Sequence, residues 1–339
     1  MALEIFYFLL GLILAGLTLR DVFDTVVVPG GSRTSLRVAH RLVFIFLPLW
    51  KAVRGKRRGL STTFAPFVLV SCFITWMSLL AVAFGLMAFA LRHDFQPMLT
   101  GFGDAVYLTG SSLVTVGLSK INPAGNARWV ILGAGFCGLA VMTMAVTYLL
   151  EVQSSIARRD TGIIKLNTSA GDPPSALTLL QRYATIDNRQ AFRELLEEGR
   201  NWCATVRQSH STHPSLIYFQ SIGTGSGWPA ALGAMLDMAL LFELCIDQRD
   251  LFGPAILLRE EGTRMARELA MVISLKPKDI APHAERELRE AAERIAQCGY
   301  PLRDEPDFAK MAERRAKFQS CVDALAEHLG KPTAMLIRR

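Results

Sequence analysis

From Phe64 to Leu91 the chain runs 28 residues without a charged side chain. That is about 42 Å of helix at 1.5 Å per residue, and a bilayer core needs about 20 such residues, so the pattern predicts a membrane span. Ala127 to Leu150 predicts a second, with Arg128 at its start and Glu151 marking its far end. Leu3 to Val28 predicts a third, carrying Arg20, Asp21 and Asp24 near its end. Arg20 and Asp24 stand one turn apart and are expected to pair as an anchor near the interface. The segment opens on Glu4 rather than on basic residues, which predicts a retained helix and not a signal peptide.

Residues 32 to 63 contain Arg33, Arg37, Arg41, Lys51, Arg54, Lys56, Arg57 and Arg58 and no acidic residue. By the positive-inside rule this segment faces the cytoplasm. The apolar run Leu42 to Trp50 inside it is too short to cross, and its basic flanks suit a helix lying in the membrane interface. The topology expected from this has the N-terminus outside, Phe64 to Leu91 running outward, Ala127 to Leu150 running back, and residues 152–339 in the cytoplasm beneath the cell (inner) membrane.

The second half reads as nearly all helix. Phe192, Leu195, Leu196, Gly199, Cys203 and Val206 form one apolar stripe, and Met311, Phe318, Val322, Leu325 and Leu329 form another before Gly330 and Pro332. Trp228 to Ile246 is apolar enough for a span, but Asp237 at its centre and Glu243 after it predict a buried helix of a soluble domain. The GTGSG run, Gly223 to Gly227, comes after no strand and reads as a loop before a helix rather than a phosphate cradle. His210 and His213, in the polar run HSTHPS, read as surface residues of a turn, without partners at metal-ligand spacing.

Charge and cysteine content narrow the function classes. Residues 1–150 carry 12 Lys+Arg against 5 Asp+Glu, and residues 151–339 carry 25 of each. The positive excess therefore lies between apolar spans, where it orients the chain in a membrane, and nucleic acid is not an expected partner. Cys72, Cys137, Cys203, Cys245, Cys298 and Cys321 stand singly, with no C-x-x-C pair, and read as small apolar residues in a reducing compartment. No catalytic triad or carboxylate pair stands out, so no enzyme, cofactor or resident metal is expected.

The interval between His93 and Asn126 enters and leaves from the outer face. DAVYLTGSSLV, residues 104–114, is too short to span and is succeeded by Thr115, Val116, Gly117, Leu118 and Ser119, then Lys120, Ile121, Asn122 and Pro123. A half-helix that returns as extended backbone is tolerated at membrane depth only where its polar groups are buried in protein or line an aqueous path. Its partly negative C-terminal end favours a cation there.

These residues resemble the potassium channel superfamily with a two-helix pore unit, whose pattern is a pore helix, a T-V-G-Y-G filter and then D-I-x-P. Thr115, Val116 and Gly117 match the first three filter positions, and Ile121 and Pro123 match the isoleucine and proline after the filter. The resemblance covers about 90 residues and leaves the second half unmatched. It implies that the carbonyls of Thr115 to Leu118, with the Thr115 hydroxyl, replace an ion's hydration shell. It implies a homotetramer, because one loop supplies a quarter of the ring. Gly138, near mid-helix, takes the place of a gating hinge, while Gly133 and Gly135 serve close packing. Glu151 is expected either to ring the inner mouth with negative charge or to be an ordinary helix-end carboxylate.

Three departures predict weakened potassium selectivity. Leu118 replaces the filter tyrosine and its hydroxyl. Ser119 replaces the second glycine, at a cost if that position needs positive φ. Lys120, at the outer mouth, replaces the usual acid and repels cations over about 8 Å unless it points away or pairs with Asp94 or Asp104. The expected fold is an all-α membrane protein. Residues 1–63 form a transmembrane helix plus a basic interfacial segment. The pore domain, 64–151, comprises an outer helix 64–91, pore helix 104–114, filter 115–119 and inner helix 127–150. A helical cytoplasmic domain, 152–339, controls conduction of K+ or Na+ in response to a regulator the sequence does not identify. The alternative is a membrane sensor or scaffold that keeps this architecture without conducting.

Overall fold

The computed structural model describes residues 1–28, 38–54, 63–221, 225–278 and 285–337, and for Ala39, His40, Val53, Arg54 and Arg189 the backbone alone. Arg33, Arg37 and Lys56 to Arg58 of the basic segment, and Gly223 and Thr224 of the glycine loop, lie outside these residues. The protein is an all-α membrane protein with a helical C-terminal region. It divides into two compact units, Met1–Val152 and Gln153–Arg339.

In the first unit, α1 (Ala2–Val26) and α3 (Phe64–Ala90) pack along each other. Gly11 lets them approach, since a Cβ there would stand 2.4 Å from the Ala83 carbonyl oxygen. Such small-residue contacts are how helices meet in a bilayer, where apolar burial gives little drive. Their other faces expose Leu9, Ile13, Phe67, Val70 and Ile74. Thr18 and Thr75 donate their hydroxyls to carbonyls one turn back, at 2.8 and 2.7 Å, so neither is left unsatisfied.

Asp21 is fully buried and joins three helices. Its Oδ2 accepts from the Trp76 indole of α3 at 2.8 Å and from the amide of Val38, at the start of α2 (Val38–Arg54), at 3.3 Å. Arg20 and Asp24 do stand as an ion pair, at 3.7 Å. At the far end of α2, Trp50 stacks on Phe64 with ring centroids 5.2 Å apart. Between these two anchors α2 exposes Phe44, Ile45 and Leu49.

After α3, the short strands β1 (Phe95–Gln96) and β2 (Asn122–Pro123) pair antiparallel and close the segment that holds α4 (Phe102–Leu113). Next comes α5 (Ala127–Ala170). It does not stop near Leu150, because no proline interrupts it and an apolar stripe of Val152, Ile163, Leu166 and Ala170 continues to be buried. Gly171, at φ +83°, ends it, its amide donating to the Asn167 carbonyl at 2.9 Å.

The second unit is built round α8 (Gly227–Leu244), which is apolar on every side and contacted by α6 (Ala176–Thr185), α7 (Phe192–Thr212), α9 (Arg249–Val272) and α11 (Phe308–Leu329). By length and composition α8 is one of four helices among the described residues able to cross a membrane, yet 94% of it is buried within the protein. Its charges are met by later helices. Asp237 takes a bidentate pair from Arg315 at 2.7 and 3.0 Å, and Arg315 also reaches Glu287 of α10 (Glu285–Gln297) at 3.2 Å. Glu243 accepts from Arg259 at 2.5 Å and from Arg314. The stripes of α7 and α11 face inward as their spacing requires, and Gly330 at φ +65° closes α11.

Candidate ion pathway

α4 is held along its length before it delivers the filter segment. Asp104 in its first turn accepts from the Thr100 hydroxyl at 2.8 Å, and Ala105, Leu108, Thr109 and Leu113 are buried. Thr109 donates to the Ala105 and Ala81 carbonyls at 2.9 and 3.2 Å. Gly85 of α3 accommodates Val106, whose Cγ2 would stand 2.7 Å from an added Cβ. On the other side, the Ser112 hydroxyl donates to the Ile131 carbonyl of α5 at 3.0 Å.

At its C-terminal end the backbone folds back on the last turn. The amides of Val116 and Gly117 both donate to the Ser111 carbonyl, at 2.9 and 3.1 Å, and that of Thr115 donates to Ser112 at 3.0 Å. Thr115 and Gly117 take φ of +60° and +64°. The left-handed strain therefore falls on the threonine, a conformation unfavourable for a β-branched residue. Ser119 is not among the positive-φ residues, so the cost expected there is absent; its hydroxyl oxygen instead accepts from the Ile121 amide at 2.9 Å.

Among the described residues, no hydrogen bond ends on the carbonyl oxygens of Thr115, Val116, Gly117 or Leu118. Their side chains are exposed, Val116 to 56% and Leu118 to 66%. Consecutive unpaired carbonyls at the C-terminal, partly negative end of a helix are acceptors open to cations or water. Lys120 is exposed and joins no ion pair among the described residues. The two acids considered for it are engaged elsewhere: Asp104 with Thr100, and Asp94 with the Asn126 amide at 3.3 Å.

Gly138 meets this turn directly. A Cβ there would lie 1.9 Å from the Leu113 carbonyl oxygen, so only glycine lets α5 pass the end of α4. The helix is continuous through this position. Gly135 faces Ser112 in the same way at 3.3 Å, while Gly133 only touches the Phe84 ring at 3.6 Å. Glu151 is exposed further along α5.

A feature that motif reading missed is the exposed face of α5. Trp129, Leu132, Phe136, Leu139, Thr143, Val146 and Leu150 are all exposed, at alternating spacings of three and four. That is the 3.5-residue period of a helix meeting another helix, and it was available in the sequence as a heptad stripe.

The other residues singled out behave differently from the filter. His210 is not a surface residue: α7 continues through Thr212, and the imidazole is fully buried, 3.3 Å from the Arg159 guanidinium of α5. Burial first, then the Arg159 charge, hold its pKa well below the usual 6.5. His213 is half-buried. The amides of Gly225 and Ser226 are taken by the Asp172 carboxylate at 2.7 and 3.2 Å, so this part of the glycine loop has an acid of its own chain where a phosphate would sit. A family model described as "Ion channel" matches residues 67–154, from the first turn of α3 through the filter segment to just past Glu151. No curated protein and no solved structure matches the chain.

Proposed function

We propose that four copies of this chain surround one pathway for monovalent cations, in a membrane-embedded channel with weak discrimination between potassium and sodium. The observation that carries this reading is the row of unpaired carbonyls from Thr115 to Leu118, set at the C-terminal end of a half-helix. In hydrocarbon each such carbonyl is costly, and a ring of them round dehydrated cations and water removes that cost. The match of residues 67–154 to the ion channel family and the heptad stripe of exposed apolar residues on α5 support the same assembly. Gly138 serves as the point about which α5 bends, Glu151 lines the inner mouth, and the helical C-terminal region sets the open state.

Selectivity rests on holding several carbonyl sites at fixed number and spacing. Leu118 offers no hydroxyl to tether its turn, so the outer sites are loosely held, whereas those of Thr115 and Val116 lie on a backbone fastened to Ser111 and Ser112. The test is the reversal potential of purified protein in planar bilayers with potassium on one side and sodium on the other. Wild type is expected to reverse near zero. The variant combining Leu118→Tyr, Ser119→Gly and Lys120→Asp is expected to move toward the potassium equilibrium value. A wild-type reversal already at that value would overturn the weak-selectivity reading. The second reading, a non-conducting sensor or scaffold, is favoured by the four Lys120 side chains such an assembly brings to one mouth, and silence in both proteins under every condition tried would favour it further.

A further inference from the structure

α7 and α9 approach closely at Gly199, where an added Cβ would stand 3.3 Å from the side chain of Leu258. Toward the start of α9 they leave a cleft of about 300 Å³, at the small end of the range for ligand sites. α7 lines it with Leu196, Glu197, Arg200 and Asn201, and α9 lines it with Gly253, Pro254 and Leu257.

Glycine and proline are the residues that a helix interior tolerates least, and here they stand side by side in α9. Packing does not require the glycine, since a Cβ on Gly253 would meet nothing within 4 Å, and its backbone is not left-handed. What its missing side chain leaves is room in the cleft. Pro254 has no amide to give to the Asp250 carbonyl, and the Arg193 guanidinium of α7 donates to that carbonyl instead, at 2.8 Å. The chain thus departs from helix preference at the wall of the cleft, and departures of this kind are expected where a site is built.

Three polar side chains border the same space. Glu197, Arg200 and Asn201 stand three and four residues apart on one face of α7, and all are exposed. Charges beside them are paired, Glu198 with Lys165 at 3.2 Å and Arg193 with Asp250 at 3.9 Å. Glu197, Arg200 and Asn201 themselves form no ion pair or side-chain hydrogen bond with another described residue. An acid and a base within one turn of each other complement a molecule that carries both charges on one carbon. Leu196, Pro254 and Leu257 add an apolar wall that complements hydrocarbon.

We propose that this cleft binds a free α-amino acid with a branched aliphatic side chain. Its ammonium meets Glu197, its carboxylate meets Arg200 and Asn201, and its hydrocarbon lies on Leu196, Pro254 and Leu257. The ligand bridges α7 and α9. The site lies wholly within the C-terminal unit and stands whether or not the chain conducts, so its test reads binding rather than current.

Full-length protein in detergent is titrated calorimetrically with L-leucine, with isocaproate, which lacks the ammonium, and with isoamylamine, which lacks the carboxylate. Leucine is expected to bind saturably, and each analogue about 10-fold or more weakly, as loss of a hydrogen bond to a charged group implies. Glu197→Gln is expected to weaken leucine by a similar factor and leave isocaproate unchanged. Arg200→Gln is expected to weaken leucine and leave isoamylamine unchanged. Gly253→Leu, which fills the cleft with a side chain that favours helix, is expected to abolish leucine binding without lowering the unfolding midpoint. Absence of saturable leucine binding, or leucine binding unchanged in Gly253→Leu, would overturn the proposal. So would equal weakening of all three ligands in both charge variants, which a merely structural role would give.

Discussion

His210 ties stability to pH through one proton. Burial, then Arg159, with His213 adding to them, lower its folded pKa below 6.5, so the folded protein resists a proton that the unfolded chain accepts. Its contribution is complete above about pH 6.5 and is lost as pH falls toward the folded value, at up to about 1.4 kcal/mol per pH unit. Chemical denaturation between pH 5 and 7.5 is expected to show this slope in wild type and a flatter one in His210→Gln. None of this is legible in HSTHPS, because the partner that buries the ring lies 51 residues away, on another helix. The glycines of α5 teach a related lesson. Their small size in a span signals close packing, but which one is indispensable depends on where α4 ends. Gly138→Ala forces a methyl onto the Leu113 carbonyl and is expected to cost about 1–3 kcal/mol or more. Gly133→Ala meets only a ring atom at 3.6 Å, and that variant is expected to melt close to wild type.

At the scale of elements, the apolar runs of the first unit are legible because a bilayer demands length and absence of charge, and both are counted along the chain. α3, expected over 64–91, is Phe64–Ala90. What periodicity could not give is the reach of α5, whose later turns are amphipathic rather than apolar. α8 is the reverse case: its composition is that of a span, and only Asp237 and Glu243 separate it from one. Their value lies in pairs with α9 and α11. Removing one partner of a buried pair strands the other charge, so Asp237→Leu is expected to destabilise the C-terminal unit by about 3–5 kcal/mol. Asp237→Leu with Arg315→Met replaces both groups by apolar ones and is expected to recover most of that loss in urea denaturation. A double variant no better than the single would mean that Arg315 acts chiefly through Glu287, 3.2 Å away.

For the whole molecule, the carbonyl row and the heptad stripe make the same demand, since neither is enclosed by one chain. Purified protein in lipid nanodiscs is expected to have the mass of four chains, and a stable monomer there would remove the basis for a pore. Orientation is checked with single cysteines in a background free of native thiols. One at Asn122 is expected to react with an impermeant reagent from outside, and one at Lys317, 61% exposed, is expected to be shielded in sealed cells. That second probe also reads out a problem of synthesis that α8 creates. α8 emerges from the ribosome after three hydrophobic helices, with a hydropathy of 1.2 against 2.0 to 2.3 for those before it. Arg259, Arg314 and Arg315, its eventual partners, lie later in the chain and have not yet emerged. During that interval the insertion machinery meets an apolar 18-residue helix whose main deterrent is its own acids. A single aspartate at the centre of a span opposes insertion by about 2.5–3.5 kcal/mol. Asp237 is thus expected to act twice, first by keeping a nascent helix out of the bilayer and only later as the partner of Arg315. Chains carrying Asp237→Leu and Glu243→Leu are expected to divide between two topologies, with the cysteine at Lys317 becoming reactive from outside in the fraction that inserts.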